Sequence, residues 1–145
     1  MRDYTKIVAW QRADDLTVAV YSHTRGFPRD EIYGLTSQLR RAAYSVPANI
    51  AEGSAREGKR DYLRFLYIAR GSLAEAQYYL HLANKLGYLA QGDYDALATQ
   101  VKAAFAALYG LIDTVERQVS PLGRATAAIS SALVVWMAHA IHTSL

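Results

Sequence analysis

Two segments of this chain, Tyr33–Gly53 and Phe65–Tyr79, constrain its fold more than any other part of the sequence. Apolar residues recur in both at steps of three and four, which is the period of an amphipathic helix. Both segments also contain residues that cost free energy inside a helix, namely Pro47, Asn49, Gly71 and Ser72. We therefore expect two helices that pack closely, bend or present a recognition surface at these residues.

The same periodicity predicts four helices in all. They cover residues 3 or 5 to 24, a segment capped by Asp30 and ending at 53, residues 59–85, and a segment capped by Asp93 and ending at 118. No strand pattern competes with them, and the connections are short. The predicted fold is all-α: an antiparallel up-down-up-down four-helix bundle with a C-terminal extension.

Three features of the helices are predicted in more detail. The second helix carries Ile32 in its apolar stripe and is expected to kink at Pro47, because proline removes one backbone hydrogen bond. Asn49 and Glu52 can then bond the backbone groups that the kink frees. Gly87 is the expected stop of the third helix.

The predicted domain boundary falls near Ser120, so that residues 1–120 form the bundle domain and 121–145 the extension. The stretch from 125 to 145 contains no charged side chain and is about as long as a membrane span. Its serines, threonines and two histidines make it a poor span, so a membrane partner is disfavoured. A short extra helix against the bundle or a neighbouring subunit, or an extension without fixed structure, stays open.

The composition argues against an enzyme. The chain has no cysteine, which excludes thiolate catalysis and Cys-ligated zinc. It also lacks Glu-x-x-His pairs, a Gly-rich phosphate loop and a nucleophile elbow. His139 and His142 have helical ligand spacing but no third ligand, so we predict no metal and no cofactor. The N-terminus lacks the apolar run of a signal peptide, which predicts a cytoplasmic protein.

Positive charge is concentrated in the middle of the chain. Thr36–Arg70 holds seven basic and three acidic side chains, while the whole chain has a net charge of only +3. A phosphate-binding patch is one interpretation. Its candidate residues are Arg56, Lys59, Arg60 and Arg64, which lie close together in the sequence.

Two other interpretations of these cations stay open. They could form a solvated face with local pairs such as Glu57–Arg60 and Asp61–Arg64. Alternatively, Arg40 or Arg41 could join an ion-pair network with Glu52, Glu75 or a neighbouring subunit. Eleven tyrosines exceed what one core stripe can hold, which favours a homo-oligomer with aromatic interfaces.

Several motifs together resemble a known family. They are Y-G-L-T-S-Q-L-R-R-A-A-Y-S-V-P-A-N-I-A-E-G from Tyr33, F-L-Y-I-A-R-G-S-L-A-E from Phe65, and L-A-N-K-L-G-Y-L from Leu82. W-Q-R-A-D-D-L and G-F-P-R-D-E-I-Y fit the same pattern, so the likeness covers roughly 4–117. The chain resembles the bacterial four-helix bundle family, also labelled 23S rRNA intervening-sequence protein or S23 ribosomal protein. That family includes relatives of the accessory variability determinant of diversity-generating retroelements.

The resemblance implies an antiparallel four-helix protomer that assembles into a ring-shaped homopentamer. It also implies a link to nucleic acid, since some members are encoded inside rRNA insertions and the retroelement relative binds RNA or DNA and its reverse transcriptase. By this analogy Arg40 and Arg41 join Arg56, Lys59, Arg60 and Arg64 as the six candidate nucleic-acid-binding residues. The expected function is therefore a non-enzymatic homo-oligomeric bundle that binds RNA or DNA with little sequence specificity. The expected partners are further copies of the chain, nucleic acid and, by family analogy, a reverse transcriptase. The alternative is a protein-protein interaction adaptor that binds no nucleic acid.

Overall fold

The computed structural model describes residues 2–119, and within them the chain is helical with no strand. The predicted extension at 121–145 and the pair His139/His142 lie outside the described residues. Two single 3-10 turns precede the first two helices. The elements are the turns Tyr4–Lys6 and Arg29–Glu31 and the helices α1 Val8–Thr24, α2 Leu35–Ala55, α3 Lys59–Lys85 and α4 Gln91–Val119.

The four helices form a closed ring of neighbours. α1 packs on α2 and α4, and α3 packs on the same two helices, with the most extensive contact between α2 and α3. The connections have three to ten residues, so each helix runs antiparallel to the one before it. The predicted four-helix bundle is confirmed.

The core consists of one buried stripe from each helix. Most of the predicted stripe residues are buried, and Leu39, Leu66 and Leu73 are fully inaccessible. Three residues that the helical period also places in these stripes are exposed, which makes their prediction wrong: Tyr21 at 40%, Ile32 at 56% and Leu86 at 50%. Ile32 lies in the turn before α2 and Leu86 is the residue after the end of α3, so both lie outside the regular helices.

The start of α2 differs from the prediction. Asp30 does not cap the helix; instead the Glu31 carboxylate accepts a hydrogen bond of 2.8 Å from the backbone N–H of Leu35, its first residue. Tyr88 donates a second hydrogen bond of 3.2 Å to the same carboxylate. Asp93 is likewise not a cap, because α4 begins two residues earlier and Asp93 lies in its first turn.

The other helix ends follow the sequence more closely. α3 has the predicted bounds, and Gly87 follows its end at a φ of +77°, a value that glycine adopts without strain. α1 begins only at Val8, because Asp3 caps the separate 3-10 turn in front of it. α2 runs two residues past Gly53, its predicted stop.

Pro47 lies inside α2, which continues through it. Proline leaves the carbonyl of the residue four positions earlier, Ala43, without its helical donor. The hydroxyl of Thr17 on α1 lies 3.0 Å from this carbonyl and 2.8 Å from that of Ala13, so its proton can be donated to either. The expectation that Asn49 would bond a freed group is wrong: its amide bonds the Ser45 carbonyl at 2.7 Å, which proline does not free.

Candidate nucleic-acid interface

Four of the six candidate cations lie at one end of the bundle. Arg56 follows the last residue of α2, and Lys59, Arg60 and Arg64 belong to the first two turns of α3. All four are exposed, and we call them the basic cluster. They surround a helix N-terminus, where the backbone dipole adds partial positive charge.

Acidic neighbours hold two members of the basic cluster. Arg56 forms ion pairs with Glu52 at 2.7 Å and with Asp61 at 3.6 Å, and Arg64 forms one with Asp61 at 2.9 Å. Both guanidinium groups also lie over the Phe65 ring, 4.8 and 4.7 Å from its centroid. Glu52, expected to bond the α2 backbone, is thus occupied by Arg56. These two cations are oriented but partly neutralised.

Lys59 and Arg60 present their charge more freely. Lys59 donates a hydrogen bond to the side chain of Gln118 on α4, which leaves its charge without a carboxylate partner. Arg60 forms no hydrogen bond or ion pair with any residue between 2 and 119, and the predicted pair with Glu57 is not formed. These two residues therefore offer the strongest phosphate-binding groups of the cluster.

A fifth cation, Arg2, joins this end of the bundle, and sequence reasoning missed it. Its Nη1 donates to the Arg56 carbonyl at 3.1 Å and lies 3.5 Å from the Ser54 carbonyl, at the end of α2. Its guanidinium lies 4.7 Å from the centroid of the Tyr62 ring. An open cleft of about 510 Å³ is lined by Arg2, Ala55, Arg56 and Glu57. Nothing local in the sequence links positions so far apart.

Arg40 is separate from the basic cluster. It lies sixteen residues before Arg56 on α2, which at 1.5 Å per residue is about 24 Å along the axis. Its Nε donates to the hydroxyl of Thr24 at 2.8 Å, and its guanidinium lies 4.7 Å from the centroid of the Tyr21 ring. Arg40 therefore packs α1 against α2.

Arg41 lies on a different face of α2 from Arg40 and is also separate from the basic cluster. It is exposed, it has no bonded partner in the described part of the chain, and it lines a groove between α2 and α3 together with Ser45, Ser72 and Glu75. The volume of this groove is about 340 Å³. An ion pair with Glu75 is not formed. The six candidates consequently do not make one continuous patch, because Arg40 and Arg41 both lie apart from the basic cluster.

Tyrosines near this end have raised pKa values. The hydroxyl of Tyr67 donates to Glu116 at 2.6 Å, and this hydrogen bond is the main cause of its raised pKa. Burial raises the pKa of Tyr62, opposed by the positive charge of Arg2. Both rings thus stay protonated and neutral at pH 7. They add contact area and no negative charge beside the basic cluster.

Residues 2–119 contain no group of three or more histidine, aspartate or glutamate side chains arranged to hold a metal ion. Among the helices of this part, none is long and apolar enough to cross a membrane. The ion pairs found here all lie on the surface. This is the arrangement of a small helical bundle that presents charged and aromatic side chains outward.

The sequence profile of the 23S rRNA-intervening sequence protein family matches residues 5–110. The chain belongs to this family. Its fold is similar to that of a protein of unknown function from the S23 ribosomal protein family of Bacteroides thetaiotaomicron, with a TM-score of 0.67 and 20% sequence identity. The similarity covers 73% of this chain and 96% of the other. No curated protein matches the chain.

Proposed function

We propose that this protein is a non-enzymatic, homo-oligomeric bundle that binds RNA or DNA through the basic cluster and Arg2, with little sequence specificity. The supporting observation is the convergence of five cations at the end of the bundle where α3 begins. Lys59 and Arg60 have no carboxylate partner among the described residues. The family name, which refers to 23S rRNA, points to the same class of ligand.

The chemistry of this surface suits phosphates better than bases. Guanidinium and ammonium groups at a helix N-terminus bind phosphate oxygens, and such contacts carry no sequence information. The nearby carboxylates of Glu52, Glu57 and Asp61 keep the surface only mildly basic. Binding should therefore be weak, sensitive to salt, and stronger for a repeated surface than for one protomer.

A homo-oligomer provides that repetition. Tyr33, Tyr44, Tyr78 and Tyr109 are all about half exposed or more, which fits aromatic contacts between subunits. The family resemblance favours a pentameric ring and, as a second partner, a reverse transcriptase. It also favours a cytoplasmic location.

The test is a double charge reversal, Lys59→Glu with Arg60→Glu. Acidic residues in the first turn of a helix favour its macrodipole, so α3 should stay folded. Binding of a labelled RNA hairpin and of duplex DNA is measured by fluorescence anisotropy over a range of salt. We expect the wild type to bind at low salt, with an affinity that falls steeply as salt rises, and the variant to lose most of this binding.

The matched control is Arg12→Glu with Lys102→Glu. It changes the net charge equally, at two exposed cations that have no bonded partner among residues 2–119 and lie on α1 and α4. No binding by the wild type at low salt would overturn the proposal. Equal losses in the two double variants would also overturn it, because the effect would then follow net charge and not the basic cluster.

A protein-protein adaptor is the second candidate. Tyr33 is 93% exposed and the adjacent Ile32 is 56% exposed, in a turn fixed by the hydrogen bonds of Glu31. Such an aromatic and aliphatic pair on a fixed turn is suited to anchoring a protein partner. Co-purification of a stoichiometric protein that Tyr33→Ala with Ile32→Ala releases, with no bound nucleic acid, would favour this function.

A further inference from the structure

One side of α3 extends the basic cluster toward the middle of the helix. Arg60, Arg64, Tyr67 and Arg70 follow one another at steps of four, three and three residues, so they lie on the same side of α3. Tyr67 is two turns beyond Arg60, which at 1.5 Å per residue is about 10.5 Å along the axis. An aromatic ring thus lies between arginines, close to the end of the bundle where the cations converge.

Two contacts hold the Tyr67 ring in place. Its hydroxyl donates a hydrogen bond of 2.6 Å to Glu116 on α4, and the guanidinium of Arg70 lies over the ring, 4.9 Å from its centroid. The Tyr67 side chain nevertheless stays 38% exposed. Because the ring is already oriented in the free protein, a flat ligand that stacks on it costs little additional conformational entropy.

The charges around Tyr67 differ along this side of α3. Neither Arg60 nor Arg70 forms an ion pair or hydrogen bond with a residue between 2 and 119. The Glu116 carboxylate, in contrast, lies beside the ring and would repel a phosphate there. It has acceptor capacity beyond the bond from Tyr67, which an amino group of a base can use. The arginines therefore suit phosphates, and the position of Tyr67 suits a base.

A second arginine–tyrosine contact, between Arg40 and Tyr21, provides a comparison. Arg40 lies 4.7 Å from the centroid of the Tyr21 ring, and Tyr21 is 40% exposed, so both values are close to those of the contact on α3. Two turns before Tyr21 the chain has Asp14, whereas two turns before Tyr67 it has Arg60. Of these two contacts, the one on α3 therefore combines an accessible ring with cations that can bind phosphate.

We propose that Tyr67, with Arg70 over its ring, is a stacking site for an unpaired base, so that the ligand of this surface is single-stranded RNA or DNA. The phosphates of the same strand contact Lys59 and Arg60. A duplex is a poorer occupant, because its bases stack on one another and present only their edges to a protein. The inference rests on the proposed function and names the form of nucleic acid that the basic cluster binds.

Two substitutions of the same residue test the stacking. Tyr67→Leu and Tyr67→Phe both lose the hydrogen bond to Glu116, but only phenylalanine keeps a ring on which a base can stack. Fluorescence anisotropy measures the affinity of each protein for a labelled oligouridine and for its duplex with oligoadenylate, over a range of salt. Circular dichroism checks that each variant is folded. We expect the wild type to bind the single strand more tightly than the duplex.

The salt dependence separates the base contact from the phosphate contacts. Loss of a phosphate contact makes the affinity fall less steeply with salt, whereas loss of a stacked base lowers the affinity and leaves this slope unchanged. Tyr67→Leu should therefore weaken binding of the single strand about tenfold at every salt concentration, and Tyr67→Phe should keep most of the affinity. Binding of the duplex should be the same in both variants as in the wild type.

Tyr21→Leu is the matched control. It removes a ring of similar exposure that also lies under an arginine, at the level of Arg40, about 24 Å from Arg56 along α2. Its affinity for the single strand should equal that of the wild type. An equal loss in Tyr21→Leu and Tyr67→Leu would overturn the proposal, because the effect would then not depend on the neighbouring cations.

Three other results would overturn the stacking site. They are wild-type binding of the duplex at least as tight as that of the single strand, an unchanged affinity in Tyr67→Leu, and the same loss in Tyr67→Phe as in Tyr67→Leu. If any of them occurs while Lys59→Glu with Arg60→Glu still removes most of the binding, the proposed function stands without the stacking site. No binding of either nucleic acid by the wild type at low salt would overturn both.

Discussion

The α2–α3 pair uses glycine differently at the end of α2, where Gly53 lies, and in the middle of α3, where Gly71 lies. At Gly53 the helices meet so closely that a Cβ atom would lie 2.8 Å from the Cβ of Phe65 and 2.9 Å from the ring of Tyr62. At Gly71 a Cβ atom would find open space. The first glycine is explained by packing within the protomer, whereas the second is not.

The same division separates the other unusual residues of this pair. The carbonyl that Pro47 leaves without a donor is reached by Thr17, and the Asn49 amide bonds Ser45. Arg41 and Glu75, in contrast, have no bonded partner between residues 2 and 119. Pro47 and Asn49 are thus accounted for by contacts within the protomer, whereas Arg41 and Glu75 make no contribution of this kind between residues 2 and 119.

The largest expected effect separates the buried side of α3 from its exposed side. Leu73→Ala opens a cavity in the core and should lower the free energy of unfolding by about 2–5 kcal/mol. Ile68→Ala truncates a side chain that is 43% exposed and should change the free energy of unfolding by about 0.5 kcal/mol or less. Urea denaturation measures both, and equal losses would contradict the assignment of Leu73 to the core and Ile68 to the surface.

The two glycines provide the next comparison. Gly53→Ala forces a contact that the backbone of α3 must relieve, so we expect a loss of about 1–3 kcal/mol in the free energy of unfolding. Gly71→Ala meets no atom and should stabilise the dilute protomer by about 0.5–1 kcal/mol through helix propensity. Both sites are helical, so the difference between the two variants isolates the close approach. Stabilisation by Gly53→Ala would refute it.

The fold could be predicted from the sequence because it depends on a periodic pattern that the chain repeats over long segments. The predictions of α3 and of its end at Gly87 are correct, since both follow from local residues. The prediction of the start of α2 is wrong. Spacing in the sequence favours Asp30 as the cap, but in the structure the Glu31 carboxylate accepts the hydrogen bond from Leu35. Helix caps depend on side-chain geometry that spacing alone does not give.

The candidate site was harder to predict than the fold. Arg40 and Arg41 are adjacent in the sequence, but successive residues of a helix point about 100° apart. Arg40 therefore contacts Tyr21, whereas Arg41 lines the α2–α3 groove. Arg2 reaches the basic cluster across 54 residues of sequence. The Asp61–Arg64 pair, in contrast, is local and was predicted correctly, whereas the pair of Arg56 with Asp61 crosses the connection between α2 and α3. Charge counts along a chain carry no information on contacts of this second kind.

A smaller effect is expected at the proline. Thr17→Val keeps the shape of the side chain and removes the hydroxyl that reaches the Ala43 carbonyl, so we expect a loss of about 1–2 kcal/mol in the free energy of unfolding. Thr99→Val is the control, because its hydroxyl bonds only the Asp95 carbonyl on an exposed surface. If the two losses are equal, the Thr17 hydroxyl does not compensate for Pro47.

The smallest effect at neutral pH is expected at Tyr62, which packs under Gly53. Its hydroxyl is buried and has no hydrogen-bond partner among the described residues, so Tyr62→Phe at pH 7 should be neutral or slightly stabilising. Burial raises its pKa in the folded state above the usual value of 10.0. The protonated form is therefore favoured by folding. This contribution to stability is complete below pH 10 and is lost as the pH rises through the folded-state pKa.

Unfolding by urea at pH 7 and at a series of values above pH 10 measures the difference. The wild type should lose stability at alkaline pH, and Tyr62→Phe should lose less of it, because one phenol that resists ionisation in the folded state is gone. Tyr33→Phe is the matched control, since it removes a tyrosine hydroxyl from a side chain that is 93% exposed. If both variants follow the wild type at every pH, the buried Tyr62 hydroxyl does not contribute to the alkaline loss. The close packing of Tyr62 against Gly53 would then have no effect on the ionisation of the Tyr62 hydroxyl.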